Sequence, residues 1–299
     1  VVTTQALIEH ELSAFATNLF REAISADAVG KLLASDKKST KIHVGGCSEG
    51  SEVDTYRIVA HHYLPKKAMK DIEITGIDRE KDLIELARTG YRVHSQVEKE
   101  RQDFQGTPVA GSRWRFYFVP EGPPPNFAEL VKDSPRLEQI TRDPVIEGGV
   151  IGDKLEWSRI KDGLLPKTDF VHETLEKYVA THPVSSHQRQ IYVLANSWGY
   201  MMVKDAKNPA NMQVAFDDSG KKMQFLKVIS DIKKNNSGKE VILVVGEIER
   251  QILENFPNKG FLFSLLGMKP FSVEEMQKIG MVDPNGQRLL KGRIWRIDT

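Results

Sequence analysis

Residues 45–54 read GGCSEGSEVD, where Gly45, Gly46 and Gly50 bracket Ser48 and Glu49 and Glu52 follows. Glycines at this spacing let a backbone bend tightly and let a ligand approach it closely, because they carry no Cβ and reach positive φ without strain. A helix that starts directly after such a bend offers backbone N–H groups with no partner inside the helix. Carboxylates beside those groups repel a triphosphate and suit a ligand with a cationic centre or an amine. A further carboxylate, Asp78, closes the run DIEITGID. Its two oxygens suit the paired hydroxyls of a ribose. The chemistry expected here is the holding of a positively charged nucleoside.

Several elements must position these residues. KIHVGG at 41–46 reads as a first strand, SEVDTYRIVAHHYL as the helix after it, DIEITGID as a second strand and REKDLIELARTGY as a second helix with three-to-four spacing, together a βαβ unit. NLFREAISADAVGKLLA at 18–34 is a helix leading into the first strand. RQIYVLAN at 189–196 and KEVILVVGE at 239–247 are β-branched runs of the kind found in central strands, with the amphipathic helix KKMQFLKVISDIKKN between them. GRIWRID near the end reads as an edge strand. The alternation predicts an α/β fold with a mostly parallel sheet and helices on both faces.

Between about 92 and 166 the alternation fails. The stretch holds a strand candidate, WRFYF, in which Trp114, Phe116 and Phe118 alternate with Arg115 and Tyr117, then the stiff PEGPPP, a helix from NFAELV onward and the glycine-containing VIEGGVIGD. Proline enforces extended backbone there, so an inserted subdomain is expected in place of a further regular repeat. A second irregular stretch covers 203–220. The expected organisation is a helical lead-in over 1–34 and one domain over 35–299 with the insertion at about 92–166.

The glycine pattern is not the dinucleotide GxGxxG, Asp78 lies much farther on than the roughly 20 residues of that fingerprint, and no GxxxxGK[ST] loop is present. S-adenosylmethionine carries both the sulfonium and the amine that the acidic turn suits. The rest of the composition narrows the classes. The chain has 299 residues, 40% hydrophobic and 28% charged, with a formal net charge of +1, which lacks the basic excess of a nucleic-acid binder. No run approaches the roughly 18 apolar residues of a membrane span, and a cytoplasmic location is expected. Cys47 is the single cysteine, so neither an intramolecular disulfide nor a cysteine-based zinc cluster is available. The neighbours His61 and His62 point about 100° apart on a helix, and with His43 they read as packing residues, so no metal site is expected.

Four segments in one order, TNLFREA at 17–23, GCSEGSEVDTY at 46–56, GIDREKDLIELARTG at 76–90 and ANSWGY at 195–200, together resemble the CheR-type chemotaxis receptor methyltransferases. VVGEIE at 244–249 resembles that family's strand ending in G-H-S-E. The resemblance implies a class I methyltransferase fold, Rossmann-like, that uses S-adenosylmethionine and releases S-adenosylhomocysteine. It implies cofactor contacts from Thr17, Gly46, Ser48, Gly50, Glu52, Asp78 and Asn196, with Glu173 in DFVHETLEKY near the adenine amine, where the family often has Asn. Arg21 and Tyr200 would line the methyl-transfer site.

Amide and base N-methyltransferases usually carry [ND]-P-P-[YFW] after the fourth strand, whereas here that place reads Asn196, Ser197, Trp198, Gly199. A carboxylate acceptor needs no such motif because it is already deprotonated, and the planar donor fork of Arg21 matches one. The expected activity is therefore O-methylation of a carboxylate, first a protein glutamate. The alternatives are a small-molecule O-methyltransferase and a non-catalytic cofactor-binding module of the same fold. The chain departs from the family at Ala195, where an Arg is usual, at Ser51, which replaces the first of two glutamates, and in residues 1–16, which are too few for the family's small leading helical domain.

Overall fold

A computed structural model of the chain describes residues 23–94, 114–132, 134, 137, 156–182, 185–194, 219–256, 258–279 and 293–299. In chain order the first elements are α1 (Ala23–Ser35), β1 (Thr40–Gly45), α2 (Ser51–Tyr63), β2 (Ile72–Asp78) and α3 (Lys81–Thr89). Next come β3 (Tyr91–His94), β4 (Phe118–Pro120), α4 (Phe127–Lys132), β5 (Glu156–Ile160), β6 (Lys167–His172), α5 (Leu175–Thr181) and β7 (Arg189–Leu194). The chain closes with α6 (Ser219–Asn235), β8 (Glu240–Val245), α7 (Glu247–Glu254), α8 (Lys259–Leu266), β9 (Met268–Pro270), α9 (Val273–Lys278) and β10 (Ile294–Ile297).

Among the described residues seven strands form one sheet in the order β6-β2-β1-β7-β8-β10-β9. The pairs β6/β2, β2/β1, β1/β7 and β7/β8 are parallel, and β10 runs antiparallel to both β8 and β9. Numbered along the chain, the order is 3-2-1-4-5-7-6 with the last strand reversed, the arrangement of a class I methyltransferase fold.

The two faces follow from the period of two along each strand. Ile42, Val44, Ile74, Ile191, Val193, Ile242 and Val244 bury against a layer containing Val29, Leu33, Tyr56 and Val59 of α1 and α2. Their alternates Ile77, Tyr192, Leu194, Val241, Leu243 and Val245 bury against Tyr178 and Val179 of α5 and Phe225 and Ile229 of α6. Strands apolar on both faces are the mark of a sheet covered on both sides. The order reverses between β1 and β7, so the crevice at their carboxyl ends is the switch point where α/β sheets bind ligands.

Two sequence expectations need correction. GRIWRID is not an edge strand: β10 pairs with β8 on one side and with β9 on the other, and Ile294, Trp295 and Ile297 bury on both faces. WRFYF does not form one strand, since Trp114–Tyr117 make a helical turn and only Phe118–Pro120 are extended. The helical turn sends the Tyr117 hydroxyl to His61 Nδ1 at 3.1 Å and lets the consecutive residues Tyr117 and Phe118 both bury, which strict alternation forbids. A second, antiparallel sheet β3-β5-β4 is drawn from within residues 91–160. VIEGGVIGD and residues 203–218 lie outside the described residues.

Candidate active site

The turn after β1 is shaped by three positive φ angles: 67° at Gly46, 51° at Ser48 and 97° at Gly50. Two fall on glycine. Ser48 holds the left-handed conformation without that freedom, a strain of the sort that persists where surrounding contacts enforce it. The enforcing contacts come from β2. The N–H groups of Gly46 and Cys47 both donate to the Ile77 carbonyl, at 2.8 and 3.2 Å, and the Ser48 N–H donates to Asp78 Oδ2 at 2.8 Å. Gly50 then caps α2 in the left-handed conformation and its N–H returns to the Cys47 carbonyl at 2.9 Å.

Asp78 is the hub of this end of the sheet. Besides Ser48, it accepts the Glu80 N–H on Oδ1 at 3.0 Å, and its carbonyl accepts the Glu173 N–H at 2.9 Å. A carboxylate offers about four acceptor positions. Two are used by these backbone groups, which leaves capacity for two further hydrogen bonds, the number a ribose diol brings. Burial raises the Asp78 pKa above the usual aspartate value, against the two backbone hydrogen bonds.

The cup is acidic. Glu49 and Glu52 are both 5% exposed, Glu52 in the first turn of α2 where a carboxylate complements the helix dipole. Cys47, fully buried between them, has its thiol pKa pushed well up, first by burial and then by Asp78, Glu49 and Glu52, with Arg92 opposing. Three carboxylates around one thiol make the field at the turn negative, which favours a cationic ligand. Gly76 allows the close packing underneath, because a Cβ there would meet Phe170 at 2.7 Å, Val53 at 2.8 Å and Cys47 Sγ at 2.9 Å.

Among the expected site residues, Gly46, Ser48, Gly50, Glu52 and Asp78 gather at this one end of β1 and β2. Glu173 joins them through its backbone, while its carboxylate turns along α5 to Lys177 Nζ at 3.1 Å and His182 Nδ1 at 3.5 Å. Thr17, Arg21, Asn196 and Tyr200 lie outside the described residues. His43 has a packing role and takes no part in the cup. Gln190 donates its amide to the His187 carbonyl at 3.0 Å, so its Oε1 accepts from His43 Nε2 at 3.0 Å, and His43 Nδ1 accepts from the Tyr178 hydroxyl at 3.1 Å. Burial lowers its pKa to about 4, so it is a neutral packing histidine stacked on Tyr192 at 4.4 Å.

Sequence reading missed Asp54 and Arg92, which lie fully buried directly behind the turn. Arg92 sits in the short strand YRVH, and nothing in that pattern separates it from an exposed arginine. Asp54, in the first turn of α2, reads as an ordinary dipole partner.

No protein-family model and no curated protein matches the chain. Among solved structures, the plantazolicin methyltransferase BpumL in complex with SAH is 12% identical, with a TM-score of 0.37, covering 94% of this chain and 84% of that one. The bifunctional kinase-methyltransferase WbdD is 10% identical with a TM-score of 0.33, covering 97% of this chain and 39% of that one. A SAM-dependent methyltransferase from Methanosarcina mazei is 13% identical with a TM-score of 0.27, covering 88% and 74%. Scores this low establish no shared fold by themselves, and the fold of this chain rests on its own strand order.

Proposed function

We propose that the chain is an S-adenosylmethionine-dependent methyltransferase that transfers methyl to a carboxylate oxygen, with a protein glutamate as first acceptor. The observation that carries this reading is the 2.8 Å hydrogen bond from Ser48 N–H to Asp78, which joins a left-handed glycine turn and the acidic end of β2 into one cup beside the switch point of the sheet. In this account Asp78 accepts the ribose hydroxyls with its two remaining acceptor positions. The Gly46–Gly50 backbone lies beneath the methionyl part, and Glu52 faces its amine. Asn196 supports the methionyl end, Thr17 borders the cofactor, and Glu173 stands at the adenine end. The acidic field around Cys47 supports a sulfonium ligand over a phosphorylated one.

Bound there, S-adenosylmethionine supplies an electrophilic methyl group: one C–O bond forms, one C–S bond breaks, and its electron pair neutralises the sulfonium to give S-adenosylhomocysteine and a methyl ester. The protein's part in such a displacement is alignment. Arg21 holds the acceptor carboxylate through its paired donors and Tyr200 steadies the approach by its hydroxyl. The test is transfer of labelled methyl from S-adenosylmethionine to candidate proteins, followed by mild alkali. Volatile methanol supports the ester, and alkali-stable label overturns the choice of a carboxylate.

A further inference from the structure

We infer that Arg92, held by Asp54, is a positioning residue that sets the shape of the Cys47–Gly50 turn and couples the small sheet β3-β5-β4 to the ligand cup. As regards the ligand, the inference rests on the reading above. Arg92 and Asp54 are each 0% exposed, and Arg92 Nε lies 2.7 Å from Asp54 Oδ2. Burying two charges costs more than a pair of apolar side chains of similar volume would, so the pair is poorly explained by stability alone.

Its geometry forms a closed ring. The Asp54 N–H donates to the Gly50 carbonyl at 3.0 Å, the Asp54 carboxylate grips Arg92, and Arg92 packs back on Gly50. The packing is close enough that a Cβ on Gly50 would stand 2.6 Å from Arg92 Nη2 and 3.0 Å from its Cζ. Nη2 is buried and makes no hydrogen bond among the described residues, so its place is fixed by the turn and by Phe170, whose ring centre lies 5.9 Å from Cζ. Nη1 donates to the carbonyls of Ala87 at 3.2 Å and Tyr91 at 2.8 Å, tying the group to the α3–β3 junction.

The tie extends further into the molecule. Arg57 donates to Asp54 Oδ1 at 3.1 Å, to Asp162 Oδ1 at 2.8 Å and to the Pro166 carbonyl at 3.3 Å, which joins the end of β5 and the entry to β6 to the same carboxylate. A shift of β3 therefore moves Arg92 against Gly50 and changes the bend that holds the ligand. Coupling of this kind is reciprocal, so occupancy of the cup also restrains the small sheet.

Cys47, the single cysteine and fully buried within the turn, reports on this directly. The experiment measures its labelling rate by 5,5′-dithiobis(2-nitrobenzoic acid) in the wild-type chain, in Arg92→Lys and in the charge-neutral double variant Arg92→Met/Asp54→Asn, with S-adenosylhomocysteine affinity measured in parallel. The double variant is expected to label at least about tenfold faster, at a rate independent of low denaturant, and to bind about tenfold more weakly. Arg92→Lys should fall between the wild type and the double variant. Arg159→Gln, which breaks the exposed pair with Glu121 in the same small sheet, should leave both readings unchanged. Wild-type labelling rates in the variants, or rates that rise only in step with global unfolding, overturn the inference. Absence of S-adenosylhomocysteine binding by the wild type would instead defeat the functional reading and leave the labelling test standing.

Discussion

The Ser48 N–H reaches Asp78 Oδ2 at 2.8 Å, so the carboxylate that closes β2 also holds the strained residue of the turn after β1. Ligand recognition and loop shape thus depend on the same ionised group. Because burial raises its pKa, Asp78 takes up a proton at a higher pH than an ordinary aspartate, near 3.9, would. The anion is the form that accepts both the ribose and the backbone N–H groups. Affinity for S-adenosylhomocysteine, measured by calorimetry from neutral pH downward, should therefore fall as pH drops through that raised value. Asp78→Asn should bind weakly throughout and lose this acid dependence.

Two glycines are predicted to be intolerant of a methyl group, for different reasons. Gly50→Ala forces φ of 97° on an L-residue and drives a Cβ to 2.6 Å from Arg92 Nη2. Gly76→Ala has no φ penalty and instead overfills the space among Phe170, Val53 and Cys47. Each should cost roughly 1–3 kcal/mol in chemical denaturation. Gly50→Ala should weaken ligand binding in the fraction that remains folded more than Gly76→Ala does, because it changes the backbone of the turn itself while Gly76→Ala presses on the Cys47 side chain.

His43 should govern part of the acid stability. Its folded pKa of about 4 lies below the ordinary value of 6.5, so the unfolded chain binds the proton first as pH falls. The stabilisation is complete above pH 6.5 and is lost progressively down to about pH 4, where the folded state also protonates. At 1.36 kcal/mol per unit the shift corresponds to a loss of about 3 kcal/mol across that window. Denaturant titrations at pH 7 and pH 4 should show a smaller difference for His43→Gln than for the wild type, and equal differences would refute the assignment.

The βαβ start of the fold was legible because two independent signals agree there. KIHVG and DIEITGID alternate apolar with polar residues and end in turn residues, and each is followed by a helical period. The cup was legible for the same reason, since glycine spacing and carboxylate position both point to one end of the sheet. Strand β6 was not, because KTDFVH, which pairs only with β2 among the described residues, has only Phe170 buried and carries no apolar pattern. WRFYF misled because alternation along five residues is also compatible with a helical turn running into a short strand. The reading of GRIWRID as an edge strand overlooked that apolar groups on both faces mark an interior position. Arg92 left no trace in the sequence, since its burial is a property of the β3–α2 contact.

Arg21 and Tyr200 are predicted to act on transfer more than on cofactor binding. Arg21→Ala and Tyr200→Phe should lower kcat by on the order of tenfold or more with S-adenosylhomocysteine affinity nearly unchanged, as expected for groups that align the acceptor. Equal loss of both quantities would move these residues to the cofactor's side of the site.

The most direct measurement is calorimetric titration of the wild-type chain and of Asp78→Ala with S-adenosylhomocysteine at neutral pH. The account predicts one-to-one binding by the wild type, weakened about tenfold or more by loss of the carboxylate. No binding by the wild type, or undiminished binding by Asp78→Ala, would contradict it.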